Sequence, residues 1–256
     1  MIGVQLYTFR DYMRTKRGLE HTLKRIAEIG YSNVELAGFG PVNPEAFSQI
    51  LSRFELSVCS SHVPFDMLYE ALEDVLEMHE TVGCRNLVCP SIPRSYVNED
   101  GFKEVAGILS DIAGVINREG FTLSYHNHAD EFTKWNGKTG LEILSEYAPK
   151  LLFQLDTYWV QYGGASTIEW INRLRGRMIS IHLKDMKVSL TSKGILHVNT
   201  YVGDGNLNWV SILQSSIESG IRYLIVEQEF YEISPFESTK RSLNHLKKIL
   251  SELSPS

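Results

Sequence analysis

The chain has 256 residues, 43% of them hydrophobic, and a formal net charge of −6. That length and apolar content suffice for one large core of the size found in single-domain α/β barrels. The acidic balance weighs against a nucleic-acid enzyme, which presents a basic surface to phosphates.

Met1 leads directly into Ile2-Gly3-Val4-Gln5-Leu6, a strand pattern with no basic and apolar leader before it. No apolar run along the chain approaches the roughly 18 residues of a membrane span, so a soluble, cytoplasmic protein without membrane partners is expected. Leu19, Leu23, Ile26 and Ala27 then share one helical face that stops at Gly30. A second strand pattern covers residues 33–36, and Asn43-Pro44 reads as an N-cap followed by proline at the first helical position. Residues 56–59 form the third run, and Leu68, Leu72, Val75 and Leu76 make a stripe ending at Gly83. Residues 86–89 form the fourth, followed by the stripe Phe102, Val105, Leu109, Ile112 and Ile116 before Gly120. Cys59, Cys84 and Cys89 all lie in or beside these apolar runs, and their odd number and spacing suit buried thiols rather than a disulfide framework. Residues 122–125, 151–155, 178–181 and 222–226 supply four more runs, with a helical stripe through Trp209, Ile212 and Leu213 ending at Gly220. Leu243, Leu246, Ile249 and Leu250 close the chain as a last helix.

The runs are short and uniformly apolar, as in parallel strands covered on both faces. They recur about every thirty residues, the size of one βα unit. A glycine ends several of the helices, where a left-handed residue turns the chain back toward the next strand. The pattern predicts a single (βα)8 TIM barrel over residues 1–256, with no linker and no Gly-x-Gly-x-x-Gly turn of a dinucleotide fold.

In such a barrel the strand C-termini face the active site. Four polar clusters stand at the ends of strands five to eight: Tyr125-His126-Asn127-His128, Leu155-Asp156, His182-Leu183-Lys184-Asp185 and Glu227-Gln228-Glu229. Consecutive strands make these clusters neighbours, so His126, Asp156, His182 and Glu227 are expected to form a divalent-metal site of nitrogen and oxygen donors. Glu229 is the alternative to Glu227, and a structural role for each histidine is the alternative to ligation. With no thiolate in the set, one ion of Mn, Co, Mg or Zn is the expected cofactor. Earlier strands offer Gln5, Glu35 and His62, and the loop after strand five offers Glu131. Tyr7, Phe9, Phe39, Phe65, Tyr158 and Trp159 also follow strands, as core residues or as an aromatic wall for a sugar face.

At these residues the chain resembles the xylose isomerase-like TIM barrels, in the branch called sugar phosphate isomerases/epimerases. The matching motifs are Val34-Glu35-Leu36, Tyr125-His126-Asn127-His128 with Glu131-Phe132, Leu155-Asp156, His182-Leu183-Lys184-Asp185, Val202-Gly203-Asp204-Gly205 and Val226-Glu227. The branch includes ketose 3-epimerases, hydroxypyruvate isomerase, inosose dehydratase and endonuclease IV. The resemblance implies a metal held by a carboxylate, Asp, His and Glu on strands five to eight. Three carry over as Asp156, His182 and Glu227, while His126 stands where the epimerases have a glutamate. It implies a sugar isomerase or epimerase in which Glu227, His126 or His128 moves a proton next to a carbonyl. Its substrate would be a small sugar or keto-polyol contacting His62, Glu35, Glu131, Trp159 and Lys184. A dehydratase of the inosose type is the alternative, because loss of a β-hydroxyl follows from the same proton abstraction.

The family name suggests a phosphorylated sugar. The loops after strands seven and eight carry Asp185, Asp204, Glu229 and Glu232, and Asp204 is expected in the would-be anion nest, so an unphosphorylated sugar, inosose or keto-glycoside is predicted. Endonuclease-like phosphodiester hydrolysis is remote, since Trp159 occupies the place of a second strand-six ligand. A sugar-binding barrel without catalysis is the non-enzyme alternative. A homodimer or homotetramer is implied by the resemblance alone.

Overall fold

Eight parallel strands close into a barrel: β1 Ile2–Gln5, β2 Asn33–Ala37, β3 Ser57–His62, β4 Asn86–Cys89, β5 Thr122–His126, β6 Leu152–Asp156, β7 Ser180–Leu183 and β8 Tyr223–Val226. They come from a computed structural model that describes residues 1–192 and 194–253. Each strand pairs with its sequence neighbours around the ring, and β1 closes on β8 through Gly3↔Ile225 and Val4↔Val226. The architecture is the predicted (βα)8 barrel.

Local chemistry fixes the helices around it. The Asn43 side chain accepts from Ala46 N, and Pro44 opens the helix Pro44–Arg53. Thr139 and Glu142 cap the helix Gly140–Tyr147 reciprocally, which satisfies two otherwise orphaned amides. Gly30 ends the first long helix at φ 106°, a left-handed turn that any Cβ would strain. Phe102, Leu109, Leu123, Tyr125, Phe153 and Leu246 are among the buried side chains between strands and helices.

Two features depart from the sequence pattern. The strands run further than their apolar residues, so His126, Asp156 and His182 lie within β5, β6 and β7 rather than beyond them. Ladder pairing continues wherever the backbone stays extended, and a polar side chain facing the barrel mouth does not interrupt it. The chain after β7 also does not enter a helix directly. It first forms an antiparallel hairpin, Asp185–Thr191 against Gly194–Thr200. The alternating residues of Met186-Lys187-Val188-Ser189-Leu190 are the signal for that hairpin. No helix among the described residues is long and apolar enough to cross a membrane.

Candidate active site

Register brings the clusters together. Asp156 on β6 pairs with His182 on β7, and His182 pairs with Ile225 on β8, two residues before Glu227. One potential ligand atom from each of His126, Asp156, His182 and Glu227 lies within 4.8 Å of the others, and all four residues are buried. His182 Nδ1 is 3.0 Å from Glu227 Oε2 and 3.9 Å from Asp156 Oδ2. His126 Nδ1 lies 3.2 Å from Gln154 Oε1, which leaves Nε2 as its free ring nitrogen.

A layer of buried polar groups supports this set from below. Glu35 Oε1 accepts from Gln5 Nε2 at 2.6 Å and lies 2.5 Å from His182 Nε2. Its Oε2 accepts from Ser60 Oγ at 2.5 Å and Gln154 Nε2 at 2.6 Å. Burial pushes the Glu35 carboxyl up, but the His182 and His62 rings and the hydrogen bonds outweigh it and hold it at about 2. Burial likewise disfavours charge on His182, and Glu35 and Glu227 overcome that and raise it to about 10. A carboxylate on one imidazole nitrogen orients the ring so that the other faces the metal position, as behind many metal-bound histidines.

Lys184 places a cation beside the carboxylates. Its Nζ is 2.5 Å from Glu229 Oε1, 3.4 Å from Glu227 Oε2 and 3.7 Å from Asp156 Oδ2. Burial opposes the ammonium, but those three carboxylates hold its proton more tightly than usual. Burial raises Asp156 to about 7 against the pull of Lys184, while Glu227 is held well below its ordinary range by Lys184 and His182 despite burial. Burial, with Lys184 adding to it, lowers His128 to about 4, so at neutral pH this imidazole has a free lone pair.

Above the cluster opens a pocket of about 560 Å³, lined by His126, His128, Trp159, Glu227 and Glu229 on one side and by His62 of β3 on the other. The expected site residues therefore separate into two groups. His62, His126, His128, Trp159 and Glu227 reach the pocket. Glu35, Glu131 and Lys184, expected to meet substrate, do not line it. Glu35 is fully buried below, with both oxygens occupied. Glu131 is held by Tyr125 Oη at 2.6 Å and by His128 N at 2.8 Å, so it shapes the β5 loop. Lys184 lies fully buried, with its ammonium 5.1 Å from the Trp159 ring centre. Of the aromatic residues, Tyr7 and Trp159 line the pocket, whereas Phe9, Phe65 and Tyr158 are core. Gln154 and Ser60 belong to this layer although neither stands in a strand-end polar cluster; a glutamine between Phe153 and Leu155 is the visible sign of a polar layer inside the barrel.

The loop after the hairpin also differs from expectation. The carboxylate in the glycine nest is Asp185, not Asp204. Asp185 accepts from Met186 N, Gly203 N, Gly205 N, Leu207 N and Trp209 Nε1, the last at 2.6 Å. Asp204 instead pairs with Thr200 Oγ1 and Lys187.

A profile of the family described as xylose isomerase-like TIM barrel matches residues 23–249. The chain belongs to the xylose isomerase-like TIM barrel family. Among solved structures, a sugar phosphate isomerase/epimerase from Parabacteroides distasonis superposes with TM-score 0.82 at 24% identity, covering 96% of this chain and 93% of that one. A D-allulose 3-epimerase from Methylomonas sp., solved with D-allulose, superposes with TM-score 0.73 at 13% identity over 96% of each chain. These likenesses establish the fold. An inosose dehydratase of Clostridium beijerinckii is 25% identical over 174 residues, spanning 60% of this chain and 56% of that protein.

The donor set of this xylose isomerase-like barrel fits a divalent ion. Asp156 Oδ2 is buried without a hydrogen-bond partner, next to two imidazoles and a second carboxylate. Lys184 Nζ at 3.7 Å and His182 Nδ1 at 3.9 Å lie beyond hydrogen-bond reach of that oxygen, and a cation between Asp156, Glu227, His182 and His126 would give it a direct partner. Two nitrogens and two carboxylates with no thiolate suit Mn, Co, Mg or Zn.

Proposed function

We propose that this barrel is a metal-dependent sugar isomerase or epimerase. It would remove a proton from the carbon beside the carbonyl of an unphosphorylated ketose or keto-sugar. The observation that carries this reading is the convergence of His126, Asp156, His182 and Glu227, of which His126 and Glu227 line the pocket and Asp156 keeps one oxygen without a hydrogen bond. A bound divalent ion would supply Lewis-acid polarisation of the carbonyl and offset the charge of the enediolate. The protein's own groups do the rest. Glu227 and His128 both face the pocket and can each take or return a proton, so removal and return can use different groups. His126 is the third candidate for that role. His62 and Trp159 line the same space, where the imidazole and the indole ring can contact the substrate.

The preference for an unphosphorylated substrate rests on Asp185. Barrels that bind phosphate often use amides after strands seven and eight. Here Gly203 N, Gly205 N and Leu207 N already donate to the Asp185 carboxylate. An incoming phosphate would meet fixed negative charge instead of free donors.

A dehydratase is the second reading, favoured by the histidine at position 126 and by Lys184 among the site carboxylates. There the same proton abstraction is followed by loss of a β-hydroxyl, which leaves as water with the proton carried by Glu227 or His128 at the pocket wall.

The test is α-proton exchange followed by NMR in D₂O. Protein loaded separately with each metal is given free ketoses, inososes, 3-keto-sugars and their phosphates, and isomer, epimer and dehydrated product are scored apart. We expect metal-dependent exchange with unphosphorylated compounds and its loss in His182→Ala with the fold intact. Full activity after chelation would refute the metal scheme, and a clear preference for phosphates would refute the substrate class.

A further inference from the structure

The pocket is chemically two-sided, and only one side suits a sugar. The half built by the ends of β5–β8 carries His126, His128, Trp159, Glu227 and Glu229. The opposite half comes from the segments after β1–β4, and its surface is Tyr7, Ala37, Gly38, Pro64, Met67 and Pro90. Among the described lining residues of that half beyond His62, polar side-chain atoms are limited to the hydroxyls of Tyr7 and Ser91. Tyr7 is 45% exposed and Met67 37% exposed, so these apolar faces are open to the pocket's surroundings rather than folded into the core.

A free keto-sugar or inosose carries a hydroxyl on nearly every carbon. Seated over the polar half, it would satisfy those groups with His62, His128, Trp159 and the carboxylates. The C–H face of such a ring can rest on Tyr7, but its hydroxyls would meet Pro64, Met67 and Pro90, where they would lose water without gaining partners. The volume of about 560 Å³ exceeds what one pyranose ring needs and falls in the range of about 300–1,000 Å³ typical of drug-sized ligands. Exposed apolar surface continuous with a polar reacting centre marks where an apolar part of the ligand rests.

We infer that the substrate is a conjugate, a keto-sugar bearing an apolar or aromatic substituent such as the aglycone of a glycoside. The sugar sits over the β5–β8 ligands, and the substituent lies against Pro64, Met67, Pro90 and the ring of Tyr7. The inference rests on the proposed sugar-active site and adds the second half of its ligand.

Binding of unreactive probes separates this inference from the chemistry. Phenyl β-D-glucoside and D-glucose are titrated calorimetrically into the metal-loaded full chain. The phenyl glycoside is expected to bind about tenfold or more tightly than glucose, the gain from burying one aromatic ring. Met67→Glu, which sets a carboxylate on the wall at a partly exposed position, should shrink that ratio severalfold while the protein keeps its melting temperature. A conservative Met67→Leu should keep the ratio. Equal affinities, failure of the phenyl glycoside to bind, or a ratio unmoved by Met67→Glu in folded protein would each overturn the inference. The enolising reading fails on a different result, absence of α-proton exchange with keto-sugars while the phenyl preference persists.

Discussion

Replacing Glu35 by glutamine tests the layer beneath the proposed metal ligands. The side chain keeps its size, but the partners of the carboxylate are arranged around acceptor oxygens. Gln5 Nε2, His182 Nε2 and, at 3.2 Å, His62 Nε2 meet Oε1, while Ser60 Oγ and Gln154 Nε2 meet Oε2. Whichever way the new amide is turned, its NH₂ faces one of these sets. Gln154 is poorly placed to turn over, because its own Oε1 is engaged by His62 Nε2 at 2.9 Å and His126 Nδ1 at 3.2 Å. The amide NH₂ then falls on the His182 side, and His182 must turn Nε2 into an acceptor. That moves the proton to Nδ1, the nitrogen facing Asp156 and Glu227, and removes the lone pair a metal needs. Loss of such a supporting carboxylate lowers metal affinity by about 10–100-fold, or roughly 1.4–2.7 kcal/mol. The assay is competition titration of Mn²⁺ or Zn²⁺ against a chelator at about pH 9, with melting of the metal-free variant as the fold control. The pH trend has a definite sign. Glu35 helps raise His182 to about 10, so below that pH the native protein must release an Nδ1 proton to bind metal. Without Glu35 that proton is held less tightly, and the affinity gap should narrow as pH falls. An unchanged affinity at high pH in a folded variant, or a gap that widens on acidification, would refute the reasoning.

Three further outcomes follow from groups outside the ligand set. Asp185→Asn sets an NH₂ among five donors, so it should destabilise the chain by about 2–3 kcal/mol and red-shift Trp209 emission; native stability in urea would contradict the nest. His79 is buried, with Nδ1 2.6 Å from Val75 O and Nε2 2.8 Å from Ser61 Oγ, and burial lowers its pKa against the pull of the Val75 carbonyl. The unfolded chain therefore binds the extra proton, and its stabilising share is present above the ordinary value of 6.5 and fades as pH falls below it. His79→Gln should show a shallower drop in urea midpoint from about pH 7 to about pH 5.5 than the native chain, and parallel curves would count against it. Cys59, Cys84 and Cys89 are buried, and burial pushes the last two up to about 12, so none should react with a thiol reagent until the protein unfolds.

The parts of this molecule that sequence made legible are those governed by short-range rules. Helix-ending Gly30, Gly83, Gly120 and Gly220 all adopt positive φ, and the apolar runs between them became the eight barrel strands. Once the strands are consecutive and parallel, the nearness of His126, Asp156, His182 and Glu227 follows from topology, because each sits at the same end of its strand. What stayed hidden depends on depth along the barrel axis. Glu35 and Glu227 are both carboxylates at strand ends, but one lies beneath His182 with no exposure while the other lines the pocket. Register decides between them: the β2–β3 ladder shifts at Val34/Glu35, where Ser60 rather than Cys59 comes opposite Glu35. A bulge of that kind leaves no mark in hydrophobic periodicity. The same limit explains Asp185 and Asp204, nineteen positions apart in chain order and both near the Gly203–Gly205 turn. Which carboxylate enters the nest is set by the hairpin fold-back, whose seven-pair ladder brings Asp185 opposite Thr200 and so under the turn. The convergence of His126, Asp156, His182 and Glu227 could thus be read from type and topology, while the groups that orient them required the three-dimensional register.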